Sequence, residues 1–377
     1  MNGSLYPAAR TFAPRLEEHF ARHAAAGPNG APPGAPLPDA RAIEALIDAA
    51  FWASLQREEG YAPEISLAFL PPARAARPLM FGAPLPLGPR ALARLAPAVE
   101  RPGIHLGVWR ERGELVVWGT TRAIPSSCLV IEVLGPGLMV VKHRTREDSA
   151  KFQNVAVFEG EQVKVLSPQS VDVSDHPAVL KSLIAPEPPG SPDDPVDVLL
   201  RLAVSMRAHK RGGTLLVVPA RTETWRESIV HPIEYAVEPA FTELADLVRE
   251  AVVGGPSPGP GALGRAVDAV AGLTAVDGAT LITDRYELLA FGVKIGRPDG
   301  RPRVERVILT EPIEGGAASV VAPVELGGTR HISAAQFAHD QQGAVALAAS
   351  QDGHFTIFAW STRDGLVHAH RVETLLL

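Results

Sequence analysis

A chain of 377 residues is longer than one hydrophobic core usually grows, so its length predicts two compact units. A net charge of -6 offers no basic stripe for a polynucleotide backbone; it argues against long DNA or RNA as a partner and leaves free nucleotides open. No apolar run approaches the roughly 20 residues that cross a bilayer, and the opening MNGSLYPAARTFAPRLEEHF lacks the charged-then-apolar order of a secretion signal, so a cytoplasmic protein without a membrane partner is expected.

The opening segment reads as a helix, followed by a Gly/Pro-rich loop from Gly27 to Pro38. A second helix is predicted near Arg41 to Glu59, where Ile43, Leu46, Ile47, Ala50 and Phe51 recur at helical spacing. From Ile104 to Leu166 the texture changes to strands: GVWRERGELVVWG carries two apolar runs around Glu111, Arg112 and Gly113, and CLVIEVLGPGLMVVKHR follows. Together these predict a small sheet. The single cysteine, Cys128, excludes an internal disulfide and a cysteine-based zinc cluster, and no activating base accompanies it, so a buried thiol is expected.

The stretch Ala185 to Pro195, APEPPGSPDDP, cannot hold a regular element and is the expected linker, which puts an N-terminal α+β domain at 1–184, the linker at 185–195 and a second domain at 196–377. After it, Asp194 can cap a helix that Pro195 starts, with Val196, Leu199, Ala203 and Met206 as its apolar stripe, ending near Gly212. A buried strand TLLVVP follows, then a helix over Ala262 to Leu273 and the strands ATLITD and ELLAFGVKI. Ala317 to Leu326 reads as a strand, Arg330 to Gln342 as a helix, and VALAAS with FTIFAW as a hairpin around Asp352 and Gly353. Strands alternating with helices predict an α/β (α+β) domain whose mixed sheet is flanked by helices. The loop Gly254 to Gly264 has no lysine after it and reads as a connector.

Three short segments carry candidate chemistry. Asp277-Gly278-Ala279 lies between a predicted helix and the strand beginning at Thr280, where a carboxylate can hold a divalent cation or accept from a ribose hydroxyl; alone, it reads as an ordinary Asp-Gly turn. Gly327-Gly328-Thr329-Arg330-His331 opens a helix, whose unpaired amides together with a hydroxyl, a guanidinium fork and an imidazole suit a triphosphate. The competing reading of that segment has Thr329 capping, Arg330 solvated and His331 packed. Ser350-Gln351-Asp352 ends a buried strand and by itself reads as a hairpin turn. His368 and His370 share one face of a terminal strand, but no third metal ligand is apparent and they read as surface histidines; Lys210-Arg211 reads as a helix C-terminal charge complement.

In order and spacing, RGGTLLVVP, VDGATLITD, GGTRHISAAQF and ALAASQDG resemble the diadenylate cyclase (DAC, DisA N-terminal-like) family over roughly Pro195 to Trp360, with an Asp-Gly-Ala motif followed by a Gly-Thr-Arg-His-Arg motif. The whole chain, including RGGTLLVVPARTETWRESI, is also similar to bacterial proteins that couple a DACNV-type sensor region to such a domain. The resemblance implies a diadenylate cyclase that condenses two ATP into cyclic di-AMP and pyrophosphate. It implies that Asp277 binds the catalytic Mg2+ or Mn2+ and helps activate the ribose 3′-hydroxyl, with Gly278 and Ala279 against the nucleotide. Gly328, Thr329, Arg330 and His331 would hold the phosphates, with Arg330 and His331 counted among the catalytic groups, and Ser350 and Gln351 would sit by the nucleotide. Each such domain binds one ATP, so a homo-oligomer is implied. The second arginine of the motif is Ile332 here; the loss of one charge-assisted contact of roughly 1.5 to 3 kcal/mol would weaken binding or slow turnover about tenfold or more. Two alternatives follow: a catalytically weak or inactive nucleotide sensor, and a related nucleotidyltransferase making another cyclic nucleotide.

Overall fold

The computed structural model describes residues 5–25, 36–57, 60–144, 152–167, 170–177, 180, 198–253 and 261–377. They form two compact units, Met1–Leu166 and Ser167–Leu377.

The first unit begins with helices α1 (Pro7–Ala25) and α2 (Ala40–Ser54). Asp39 caps α2 by accepting a hydrogen bond from the Ala42 amide at 2.8 Å, one of the donors that a helix start leaves unpaired. The predicted stripe Ile43, Leu46, Ile47 and Ala50 is buried, together with Leu16 and Phe20 of α1. The strands are β1 (Ile65–Phe69), β2 (Leu79–Pro86), β3 (His105–Glu111), β4 (Glu114–Thr121), β5 (Leu129–Gly135), β6 (Leu138–Arg144), β7 (Phe152–Glu159) and β8 (Gln162–Val165), with α3 (Pro89–Leu95) between β2 and β3. The two apolar runs around Glu111 to Gly113 pair as β3-β4, and the segment CLVIEVLGPGLMVVKHR folds back on itself as β5-β6. The sheet is larger than the expected small one, with eight strands in the order β2-β4-β3-β1-β5-β6-β7-β8. Its unforeseen centre is β1, whose five residues are all buried: one face joins the helical core and the other a cluster of Ala68, Leu70, Trp118, Cys128 and Val130. A strand buried on both faces has no period-2 signature, and at five residues it is too short to announce itself. Cys128 is wholly buried, as expected, and burial pushes its thiol up to about 12.

Two histidines of this unit are buried without charge. His105 is 2 % exposed and shares a 2.7 Å hydrogen bond with Ser66, and His143 is 0 % exposed; burial lowers both to about 4, and His23 adds to the effect at His143. The folded form therefore refuses a proton that the unfolded chain accepts below its ordinary value near 6.5. Their contribution to stability is complete above about pH 6.5 and is lost as pH falls towards 4, on the order of 3 kcal/mol per histidine. Urea denaturation of the full chain is expected to show a midpoint that drops between pH 6.5 and 4.5, and His143→Gln is expected to flatten part of that dependence.

The second unit contains α4 (Val198–Ala208), β9 (Gly213–Val218), β10 (Tyr235–Phe241), α5 (Glu243–Val253), α6 (Ala262–Leu273), β11 (Ala279–Thr283) and β12 (Leu288–Val293). It continues with β13 (Val307–Thr310), β14 (Ser319–Val321), α7 (Thr329–Asp340), β15 (Val345–Ala349), β16 (Phe355–Ser361) and β17 (Leu366–Arg371). Its mixed sheet has nine strands in the order β10-β12-β11-β9-β15-β16-β17-β13-β14. The α+β class with helix-flanked mixed sheets is thus the observed architecture. β9 shows why: Leu215 and Val217 join the core with α4 and α6, while Leu216 and Val218 join the core with α7. The run TLLVV is continuous because both faces of its strand are covered.

Three differences from expectation have physical causes. The boundary falls at 166/167, ahead of the expected linker, because Val171 and Leu180 are buried in the second unit's core; residues 185–195, Asp194 to Val196 included, lie outside the described residues. Ala317 to Leu326 is a strand only over Ser319–Val321, because Pro323 removes a ladder donor and starts a 3-10 turn. His368 and His370 are 4 % and 0 % exposed rather than on the surface, since β17 is an interior strand paired on both sides, by β16 and β13. No described helix is long and apolar enough to cross a membrane.

Candidate functional site

Strand direction assembles the site. β9 and β11 are parallel, with Leu215 opposite Thr280, so both begin at one end of the second sheet. β15 is antiparallel to β9, with Ala349 opposite Gly213, so its last residue returns to that end. Gly212, Asp277-Gly278 and Ser350-Gln351 therefore share one edge, although up to about 140 residues separate them in sequence. Helix α7 brings the fourth element. A side chain at Gly212 would lie 3.3 Å from Arg330 Nη1 and 3.5 Å from the Gln351 amide, so the guanidinium sits over the mouth of β9 beside the end of β15. Gln351 Nε2 donates to the Arg211 carbonyl at 3.4 Å, tying the two strand ends together.

Asp277 projects from this end with its side chain 90 % exposed. Lys294, one residue beyond β12, donates to its Oδ2 at 2.6 Å. That bond holds the Asp277 carboxyl below the usual carboxylate range, and the charge of Arg330 acts in the same direction, so carboxylate and guanidinium share one field. Lys294 was not singled out from sequence: it is a lone cation at a strand end, and nothing local distinguishes it from a solvated lysine.

Gly278 has a structural duty that the sequence reading missed. At φ +116 its missing Cβ would stand 2.5 Å from the Gly292 carbonyl carbon, so the approach of β12 requires glycine here. Ala279, 2 % exposed, is the first residue of β11 and lies under the sheet surface. Ser350 accepts from the His354 amide through its hydroxyl at 3.1 Å, which closes the hairpin turn expected there while leaving the residue half-buried at the rim.

At α7, Gly328 is the N-cap and no side chain caps the helix, so its first amides face outward beside the exposed Thr329. An uncapped helix start with an arginine beside it favours an anion. His331 is placed differently from a phosphate ligand. It is 1 % exposed, its ring packs edge-on to Phe358, and it lies so close to Gly327 that a Cβ there would meet its Nδ1 at 2.6 Å. Burial lowers its pKa to about 4, with the charges of His354, Arg371 and Arg330 adding, so it is neutral and supports the loop from beneath. Ile332 is half-buried in the first turn of α7.

Asp277 and Lys294 stand exposed at this end. Concavities of about 390 Å³, by Thr222, Trp225 and Glu287, and about 380 Å³, by Pro219, Arg301 and Asp340, lie at the opposite ends of β9, β11 and α7. A single exposed carboxylate with one oxygen engaged by lysine fits a hard cation of the magnesium or manganese type only when substrate phosphates supply further oxygens. Taken together, the edge offers one carboxylate, two cations, a helix mouth and an amide side chain, a set suited to binding and orienting a polyphosphate.

Residues 32–122 match the family model described as "Probable sensor domain DACNV", a span that includes α2 and β1 to β4 of the first unit. Among curated proteins, none matches. One solved structure, described as the crystal structure of the hypothetical membrane spanning protein from Bacillus cereus, aligns at 16 % identity over 46 % of this chain with a TM-score of 0.25. The alignment spans 61 % of that chain, less than two thirds of its length, and the score is too low to bear on fold or function. The matched span of the first unit is thus similar to a probable sensor domain.

Proposed function

We propose that the chain is a diadenylate cyclase, joining two ATP molecules into cyclic di-AMP with release of two pyrophosphates, and that its first unit is the sensor region that tunes this reaction. The observation that carries the reading is the meeting of Asp277 and Arg330 at one open end of the second sheet, in the order and spacing of the cyclase motifs. The DACNV-type match in the first unit supports the pairing of sensor and cyclase.

Each 3′-oxygen attacks the α-phosphorus of the other ATP in line; the bond to the β-phosphate bridge breaks, and the hydroxyl proton leaves to solvent or a base. Such a reaction needs positioning and charge neutralisation more than covalent help. Arg330 and the first amides of α7 hold the phosphates, while Thr329 and Gln351 flank them. Asp277, kept ionised by Lys294, is a weak base and a good cation ligand, so it acts by orienting the 3′-hydroxyl and the metal edge rather than by strong proton abstraction. A bound Mg2+ or Mn2+ would supply neutralisation of the developing phosphate charge. His331 positions the loop. Because Asp277 is exposed on an open edge, a second copy facing it encloses the two nucleotides, and a homo-oligomer acting on cytoplasmic ATP follows from that requirement.

The deciding experiment incubates purified protein with ATP and Mg2+ or Mn2+ and seeks cyclic di-AMP by mass spectrometry. A folded sample that yields none across metals and protein concentrations overturns the reading. A second reading, a nucleotide sensor on a cyclase fold, is favoured by Ile332, which removes one cation of the motif, and by Lys294 occupying an oxygen of Asp277. Calorimetry showing nucleotide binding without turnover would select it. Offering the four nucleoside triphosphates separates the adenine-specific cyclase from a relative that makes another product.

A further inference from the structure

Away from that edge, three histidines converge inside the second unit. His368 and His370 are neighbours on one face of β17, since Val367 and Ala369 point into the core shared with α7. His176 comes from the segment just after the unit's first residue, and its ring lies 4.8 Å from that of His368 and 5.0 Å from that of His370. One nitrogen from each of the three lies within 4.8 Å of the others, and all three residues are buried.

Their hydrogen-bonding is incomplete in a patterned way. His368 Nε2 is 2.8 Å from Asp364 Oδ2, leaving Nδ1 buried with no partner. His370 Nδ1 is 2.7 Å from Thr310 Oγ1, leaving Nε2 buried with no partner. His176 Nδ1 lies 3.1 Å from Asp175 Oδ1 without the alignment of a hydrogen bond, and its Nε2 has no partner either. One orphaned nitrogen in a core is a modest defect, but orphaned nitrogens on three rings clustered this closely call for a single occupant that accepts three lone pairs.

We propose that His176, His368 and His370 form a binding site for one divalent cation of the zinc class. Three neutral imidazoles are a borderline-soft donor set, which suits zinc, cobalt, nickel or copper and not the hard cations expected near Asp277. The outer partners are those of metal-bound histidines: on each ring the second nitrogen faces a carboxylate or a hydroxyl, at Asp364, Thr310 and Asp175, which fixes the ring and raises its basicity. Burial keeps His370 in the unprotonated form that coordination requires. Nitrogens bound tetrahedrally at about 2.0–2.1 Å sit closer together than the free rings do, so the rings rotate inwards on binding and leave a fourth position for water or another small ligand. The site clamps the segment around Asp175 and His176 to β17, adding to the bonds from Ser361 and the Arg363 amide to Asp175.

The test titrates Zn2+ into the full chain after chelator treatment, against a competing chromophoric chelator, with Co2+ in parallel for its visible absorption. Expected are one equivalent per chain, a tetrahedral nitrogen-rich cobalt spectrum and a rise in melting temperature with metal. His176→Ala and His370→Ala, checked for folding by circular dichroism, are expected to lose binding at least about 100-fold, and Asp364→Asn to lose about 10- to 100-fold. The exposed His354→Ala should bind like the parent. Wild-type protein that takes up no stoichiometric Zn2+ or Co2+ overturns the proposal without recourse to any variant. So does binding that persists in folded His176→Ala and His370→Ala, which would assign the metal to surface histidines.

Discussion

Asp277→Asn is expected to lower cyclic di-AMP formation at least about 100-fold while leaving the melting temperature within about 2 °C of the parent. The two halves of this expectation rest on the same geometry. The side chain is 90 % exposed and its ion pair is with Lys294, itself half exposed, so the fold loses only a solvated ion pair. The reaction loses more, because asparagine keeps the shape but removes the charge that holds the cation and orients the 3′-hydroxyl. Product formation by mass spectrometry and a thermal melt of the same sample check both. A variant that turns over normally removes Asp277 from the chemistry, and with it the site as assigned.

Arg330→Ala is expected to raise the ATP concentration needed for half-maximal rate or binding by about 10- to 100-fold, the equivalent of one charge-assisted contact of roughly 1.5 to 3 kcal/mol. The guanidinium stands over Gly212 and beside the Gln351 amide. Arg330→Lys should recover part of the loss, since it restores the charge without the planar fork. The split between affinity and turnover is informative. If phosphate holding is the role of Arg330, affinity falls first; if only turnover falls, the residue acts late, on the leaving pyrophosphate. Calorimetry with a non-hydrolysable ATP analogue separates the two. The comparison also weighs Ile332: an Arg330→Ala effect near the upper figure indicates that Arg330 carries the site without the second cation of the motif.

The histidines show how unevenly tertiary context acts on one residue type. His331, singled out for the phosphates, lies sealed beneath Gly327. His368 and His370, set aside as surface residues, are in the core, and the third ligand that their strand lacked is His176, from a segment assigned to the other domain. Alternation along β17 put His368 and His370 on one face, and that much was readable; whether the face was solvent or core depended on which strands flank β17 and on what covers it.

The sequence by itself determined the local elements, because helical stripes such as Ile43-Leu46-Ile47-Ala50, buried runs such as TLLVV and the turn at Asp352-Gly353 encode their own period or punctuation. It also determined the candidate chemistry at Asp277 and Arg330, which needs only residue type and order. Only the tertiary structure decided that these two share one end of the sheet, through the parallel β9-β11 pair and the approach of Arg330 to Gly212. It alone gave Lys294 its partner, placed β1 at the centre of the first sheet, and moved the unit boundary ahead of Val171. The physical reason is common to all of these: strand pairing and burial are contacts between distant segments, and a chain's local pattern states what each segment can bury without stating against which partner.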